Sequence, residues 1–262
     1  MFSFSKFYMA SNLQEAYDEL LKNKKNIILG GTSYLRMENN SYNTAIDLSN
    51  LALDYIKEEN EFVHIGAMTS FRAIETSPII NLLFSGVLSN SVKDIIGVQF
   101  RNNVTVGATV FSKYGFSDLI PALLSMETTV VLFKEGEISL EEYLKREGRT
   151  RDILVEIKIK KAIGKGSFQS VRKSKTDYAI TNTAVTKSES GFRIAVGVRP
   201  GRAVLAYKAM EILNSNEISQ ELIDRACEAL DEIKYSSNMR GSGEYRSAIS
   251  KVLVKKAIME VI

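Results

Sequence analysis

Asn26-Ile27-Ile28-Leu29-Gly30-Gly31-Thr32-Ser33 is the stretch on which the fold turns. Three apolar residues in succession, halted by paired glycines, suit a buried strand that ends in a tight loop. Upstream, Leu13, Ala16, Tyr17, Leu20 and Leu21 recur at helical spacing behind Ser11 and Gln14, a capping-box pair. Downstream, Thr44-Ala45-Ile46-Asp47-Leu48 offers another strand. These alternating signals predict a βαβ-like opening unit.

From Phe62 the pattern changes. Phe62-Val63-His64-Ile65-Gly66 reads as a strand, residues 69–75 as a short helix, and 78–89 as a second helix with Pro78 in its first turn. Val104-Thr105-Val106-Gly107 repeats the strand-to-glycine junction and continues through Ala108 and Thr109. Ser117 is placed to cap a helix carrying Leu119, Ile120, Leu123 and Leu124, and residues 130–133 and 153–159 supply strands. Gly164 and Gly166, among basic and small residues, mark a boundary at 161–167. Beyond it come strands at 178–185 and 192–198, then helices near 202–213, 218–234 and 244–260. The last helix is expected to share Tyr245, Ala248, Ile249, Val252 and Leu253 on one face. A small sheet with a helical layer makes the whole chain α+β.

Composition narrows the chemistry. The 262 residues carry 34 Lys and Arg against 31 Asp and Glu, too little imbalance to demand a nucleic-acid or membrane partner. A single cysteine excludes an intrachain disulfide and an iron–sulfur cluster held by this chain alone. Cys227 falls among apolar helix positions, as a core thiol does. His64, the one histidine, is expected to be half-buried in its strand without a catalytic task; with no Cys or second His beside it, zinc is not expected. No apolar run reaches the roughly 18 residues of a membrane span, and the first residues do not read as a signal peptide. The expected compartment is the cytoplasm.

The two glycine loops, Leu29 through Ser33 and Thr105 through Thr109, are the candidate site. Glycine permits close backbone approach and positive φ, and a nest of N–H groups beside Thr and Ser hydroxyls holds phosphate without a lysine. Neither G-x-G-x-x-G nor G-x-x-x-x-G-K-[ST] is present, which disfavours an ordinary Rossmann or P-loop site. Asp118, opening the helix after the second loop, could cap that helix or accept a hydrogen bond from a sugar hydroxyl. Between 145 and 175 stand eleven Lys and Arg against Glu147, Asp152 and Glu156, a charge run that could be a solvated face, a subunit contact or an anion site.

Taken in order, these segments resemble the flavin subunit of the molybdenum hydroxylases, the group of xanthine dehydrogenase and the carbon monoxide dehydrogenase medium subunit. Leu29-Gly30-Gly31-Thr32-Ser33 is similar to the A-G-G-T/H-D/S loop, and Ile65-Gly66-Ala67 with Thr69 to I-G-A-x-x-T. Arg101-Asn102 through Thr105-Val106-Gly107-Ala108-Thr109 to Asp118-Leu119-Ile120-Pro121 resembles R-N-x-x-T-I-G-G-N…D-x-x-P. Ile153-Leu154-Val155-Glu156-Ile157 resembles I-L-x-x-I, and Arg240-Gly241-Ser242 through Tyr245-Arg246 resembles R-G-S-x-x-Y-R. Two departures stand out. Gly107-Ala108-Thr109 replaces Gly-Gly-Asn, so φ at Ala108 must be negative, and Tyr114-Gly115 replaces the usual Ser-Pro.

The resemblance implies a two-subdomain FAD-binding fold (PCMH-type, vanillyl-alcohol-oxidase-like) over residues 1–160, with subdomains near 1–55 and 56–160. A C-terminal domain of antiparallel sheet and helices over 166–262 follows. It implies FAD extended between the subdomains, its diphosphate on the two glycine loops, Asp118 in contact with the cofactor and Leu154 beside the isoalloxazine. It also implies an oxidoreductase subunit that passes electrons from iron–sulfur clusters through FAD to NAD⁺ or another acceptor. Its partners would be an iron–sulfur subunit and a molybdenum-cofactor subunit, and no residue of this chain is expected to act as acid, base or metal ligand. Two further readings stay open: a free-standing flavin oxidoreductase, and an anion- or nucleic-acid-binding module built on 145–175.

Overall fold

A computed structural model describes residues 2–148, 150–215 and 217–262. Met1 and Arg149, which enter the expectations above, lie outside the described residues. The opening unit is a parallel three-stranded sheet of β1 (Ser3–Met9), β2 (Ile27–Leu29) and β3 (Ser41–Asp47), in the order β1-β3-β2. Helix α1 (Leu13–Lys22) packs Ala16 and Leu20 onto Ile46 and Leu48. Its cap lies one residue later than expected. Asn12 Oδ1 accepts the Glu15 N–H (2.9 Å) and Glu15 Oε2 accepts that of Ser11 (3.1 Å), while Gln14 bonds Asp18 one turn on.

An antiparallel five-stranded sheet follows: β4 (Ile56–Glu59), β5 (Phe62–Gly66), β6 (Thr128–Leu132), β7 (Gly136–Ser139) and β8 (Leu154–Lys160), ordered β4-β5-β8-β6-β7. Val63, Ile65, Val130, Leu132, Ile157 and Ile159 alternate onto one buried face. That face packs on α2 (Phe71–Thr76), α3 (Pro78–Leu82), α4 (Val87–Val92), α5 (Gly97–Asn103), α6 (Val106–Ser112), α7 (Leu119–Leu124) and α8 (Leu140–Lys145). The helix expected over 78–89 is broken in two. Phe84, Ser85 and Gly86 take φ of 46°, 54° and 73°, which seats Phe84 in the core.

The third sheet, β9 (Gly164–Arg172), β10 (Ala179–Ser188), β11 (Gly191–Gly197) and β12 (Val204–Leu205), is antiparallel in the order β12-β11-β10-β9. The glycines of the expected boundary lie inside β9. A Cβ on Gly166 would sit 2.7 Å from Phe84 O, so these glycines admit the break between α3 and α4 instead of forming a linker. Helix α9 (Tyr207–Asn214) starts later than expected because Val204 and Leu205 pair with β11. Helices α10 (Gln220–Glu228) and α11 (Gly243–Val261) complete the layer. The face of α11 differs from expectation: Arg246, Ser250, Leu253, Val254, Ala257, Ile258 and Val261 are buried, and Tyr245 and Val252 are exposed. Fully buried Arg246 donates to the carbonyls of Ile180 and Val198, which fixes the rotation of the helix.

Candidate functional site

A cleft of about 460 Å³ opens where β2 and α6 meet, within the range of small-ligand sites. Leu29, Gly30, Gly31, Thr32 and Ser33 line it together with Thr105, Gly107, Ala108 and Thr109. The two turns interlock. A Cβ on Gly30 would lie 2.5 Å from Ala108 Cβ and 2.9 Å from Thr105 Oγ1, and one on Gly31 only 1.2 Å from Asn103 O. Close approach, not left-handed backbone, is therefore what these glycines provide; the positive φ of the first turn belongs to Thr32 (59°). Leu154, at the start of β8, is buried and lines the cleft beside Ile153.

The second turn is not the strand-to-glycine junction its sequence suggests. Thr105 is the N-cap of α6, and Gly107, Ala108 and Thr109 are helical, so Ala108 meets the requirement for negative φ. Its N–H groups are already engaged: Val106 to Thr69 O (2.9 Å), Gly107 to Ala67 O (2.8 Å), Ala108 to Thr105 Oγ1 (3.3 Å) and Thr109 to Thr105 O (3.2 Å). Val106 is fully buried and does not line the cleft. The second turn is thus a floor and not an N–H nest. In the first turn, by contrast, no hydrogen bond among the described residues engages the N–H groups of Gly31, Thr32 or Ser33, nor the hydroxyls of Thr32 and Ser33. This asymmetry comes from tertiary pairing and has no local sequence signal.

Asp118 also departs from expectation. Its Oδ2 accepts from Arg172 (2.7 Å) and its Oδ1 from Asn182 (2.7 Å), which ties α7 to β9 and β10. Ser117 Oγ, as expected, caps the helix through the Ile120 N–H (3.1 Å). The Asp118 carboxyl is buried, and burial raises its pKa against the pull of Arg172 and Asn182. It borders an adjoining cavity of about 30 Å³, walled by Tyr34, Tyr114, Phe116 and Tyr178, of which Tyr34 and Tyr114 also line the cleft. Tyr114 packs 4.8 Å from the rings of both Tyr34 and Phe116, filling the space that the departure from Ser-Pro leaves in question.

Other candidates resolve into structure. His64 Nδ1 lies 3.0 Å from Glu156 Oε1, whose other oxygen accepts from Tyr55 (2.6 Å), away from the cleft. Cys227 is buried, and burial pushes its thiol up to about 11. Among the described residues, most cations of the run at 145–175 are paired with acids. Lys158 pairs with Glu137, Lys160 with Glu127, Lys161 with Glu58, Arg172 with Asp118 and Lys175 with Asp94. Arg151 donates to the carbonyls of Leu20, Asn23, Lys24 and Asn26 at the end of α1. Sequence reasoning missed Lys113 and Arg202, cations from distant segments that line the cleft. No single helix among the described residues is long and apolar enough to cross a membrane.

Comparison with known proteins agrees with this architecture. Residues 2–161 match the FAD binding domain in molybdopterin dehydrogenase, and residues 166–261 match the CO dehydrogenase flavoprotein C-terminal domain. The chain is 24% identical to the nicotine 6-hydroxylase medium subunit of Paenarthrobacter nicotinovorans, over 95% of this chain and 94% of that one. It is 26% identical to the glyceraldehyde dehydrogenase medium chain of Sulfolobus acidocaldarius, over 97% of each. Its fold superposes on a chain of carbon monoxide dehydrogenase from Hydrogenophaga pseudoflava with a TM-score of 0.89 at 23% identity, covering 98% of this chain and 96% of that one. The chain belongs to the family of FAD-binding domains of molybdopterin dehydrogenases and is an FAD-binding oxidoreductase subunit.

Proposed function

We propose that this chain is the FAD-carrying electron-transfer subunit of a multi-subunit molybdenum hydroxylase of the xanthine dehydrogenase and carbon monoxide dehydrogenase kind. One observation carries the reading: three adjacent N–H groups, of Gly31, Thr32 and Ser33, have no acceptor among the described residues, and these residues border a cleft of cofactor size. Successive N–H groups of this kind bind phosphate oxygens. In this reading they hold the FAD diphosphate, with Leu29, Gly30, Thr105, Gly107, Ala108 and Thr109 as the surface beneath it and Leu154 as an apolar wall. Residues 1–160 form the flavin-binding part and 166–262 the C-terminal domain, tied to it by the Asp118–Arg172 pair.

Bound FAD supplies redox chemistry that joins one-electron and two-electron carriers. The chain's own residues bind and orient, and no side chain is assigned a proton-transfer role. That the named relatives are medium subunits or chains supports partners, which we take to be an iron–sulfur subunit and a molybdenum-cofactor subunit. With Cys227 its only thiol, this chain cannot ligate a cluster by itself. We take the acceptor to be NAD⁺ or another electron acceptor, and the compartment to be the cytoplasm. The test is purification of the full chain from its native host, with flavin released by denaturation and quantified. About one FAD per chain and two co-purifying polypeptides are expected; a colourless chain that fails to take up added FAD overturns the reading.

A further inference from the structure

The described lining of the cleft carries three cations against two acids. Its lining cations are Lys113, Arg151 and Arg202, and its lining acids Glu38 and Asp152. Both acids are engaged elsewhere: Glu38 accepts from Asn40 (2.8 Å) and Tyr42 (2.7 Å), and Asp152 from the N–H groups of Lys134 (3.0 Å), Glu135 (2.9 Å) and Ile153 (2.7 Å). Arg151 is consumed by the carbonyls at the end of α1. Lys113 and Arg202 remain, and each meets only neutral acceptors. Lys113 Nζ donates to Arg146 O (3.0 Å) and lies 4.3 Å from the Tyr143 ring centroid; Arg202 donates to the same Arg146 O (2.8 Å) and to Leu144 O (2.6 Å).

Two cations thus converge on one carbonyl, and neither forms an ion pair among the described residues. Lys113 is only 9% exposed. Burial lowers its pKa, and the nearby Arg202 and Arg146 charges act in the same direction. Its backbone occupies the left-handed region (φ 52°), where glycine is the cheaper residue. Buried charge is ordinarily paired. Capping the end of α8 accounts for one cation there, not for two held together.

We propose that Lys113 and Arg202 form an anion subsite that takes a phosphate group of the ligand in this cleft. The inference rests on the reading of the cleft as a nucleotide site and adds charge to the neutral donors of the first turn. The phosphate is either that of FAD or that of a second nucleotide delivered to the FAD-loaded chain. The experiment titrates the full chain and its Lys113→Met, Lys113→Arg and Arg202→Gln variants with FAD and with riboflavin, then titrates the FAD-loaded forms with NADH. Thermal unfolding is recorded for each. Lys113→Met and Arg202→Gln are expected to weaken FAD at least about tenfold while riboflavin is unaffected and Lys113→Arg recovers most of the loss. If FAD is unchanged and NADH alone weakens, the subsite serves the second nucleotide. Unchanged affinity for both, or equal losses for FAD and riboflavin tracking a lowered melting temperature, overturns the subsite. Absence of FAD binding by the unmodified chain instead overturns the reading of the cleft.

Discussion

Gly30→Ala tests whether the two turns act as one device. The added Cβ would stand 2.5 Å from Ala108 Cβ, and an ordinary contact begins at 3.4 Å, so the turns must part by nearly 1 Å. Overpacking of this kind costs about 1–3 kcal/mol. The free N–H donors lie on the first turn and their floor on the second, so the same displacement should weaken FAD by roughly 5- to 150-fold. Ala108→Gly removes the atom nearest the clash and leaves Thr105 Oγ1, at 2.9 Å, as the tightest neighbour. Alone, Ala108→Gly should cost about 1 kcal/mol as a glycine inside a helix. Combined, the two changes should not add: the double variant should bind FAD better than Gly30→Ala, with a coupling of at least about 0.5 kcal/mol. Flavin-fluorescence titration of the four proteins gives the cycle. Additive losses would show that the turns do not bear on each other and would remove the geometric basis of the shared cleft.

Ser33→Ala removes a hydroxyl with no partner among the described residues, so melting temperature should hold while FAD weakens by up to about tenfold; unchanged affinity in titration would take Ser33 out of the site. Glu75 is disfavoured as an anion by burial, but Arg101 and Arg72 outweigh this and hold its pKa below 4.5. A depressed carboxyl contributes stability that is present above its unfolded pKa and lost as pH falls through the folded one. Glu75→Gln should therefore lower stability near neutral pH, with the gap narrowing as pH falls past 4.5 and closing below the depressed folded pKa; parallel melting curves across that range would contradict the ion-pair account. Gly166→Ala sets a Cβ 2.7 Å from Phe84 O and 2.8 Å from Val87 Cβ, and should cost about 1–3 kcal/mol of stability. Calorimetry showing no change would mean that the break between α3 and α4 does not lean on β9.

Where signals are local and periodic, sequence and structure agree. Ile27 and Ile28 before paired glycines gave β2, and the alternation at Val63 and Ile65 gave β5. The helical spacing of Leu119, Ile120, Leu123 and Leu124 gave α7. Differences arise where a distant segment intervenes. Gly164 and Gly166 read as a linker because glycine marks both mobility and close packing, and only the approach of Phe84 decides between them. The face of α11 follows buried Arg246, a residue that apolar periodicity places in solvent, because the carbonyls that hold it come from β10 and the end of β11. Of the candidate site, the ten positions named on the two turns include nine that line the cleft, Val106 being the exception after its N–H turns to Thr69. Proximity was legible there; which donors stayed free was not.

Charge shows the same division more sharply. Counted along the chain, residues 145–175 look like the strongest anion-binding feature, yet their partners lie far off in sequence: Glu58 for Lys161, Asp94 for Lys175, Asp118 for Arg172. A linear excess says nothing about field until the acids that fold against it are known. Lys113 and Arg202 reverse the case. Each stands singly in its segment, 89 positions from the other, and the fold brings both to the carbonyl of Arg146, where neither forms an ion pair among the described residues. Burial gives Lys113 in particular more weight than the exposed lysines of that run, because an exposed pair is screened to little effect while an enclosed charge without an ion-pair partner calls for a counter-ion. The cleft that has free N–H groups at one turn also carries that unbalanced charge on its wall, which is why its ligand should be an anion.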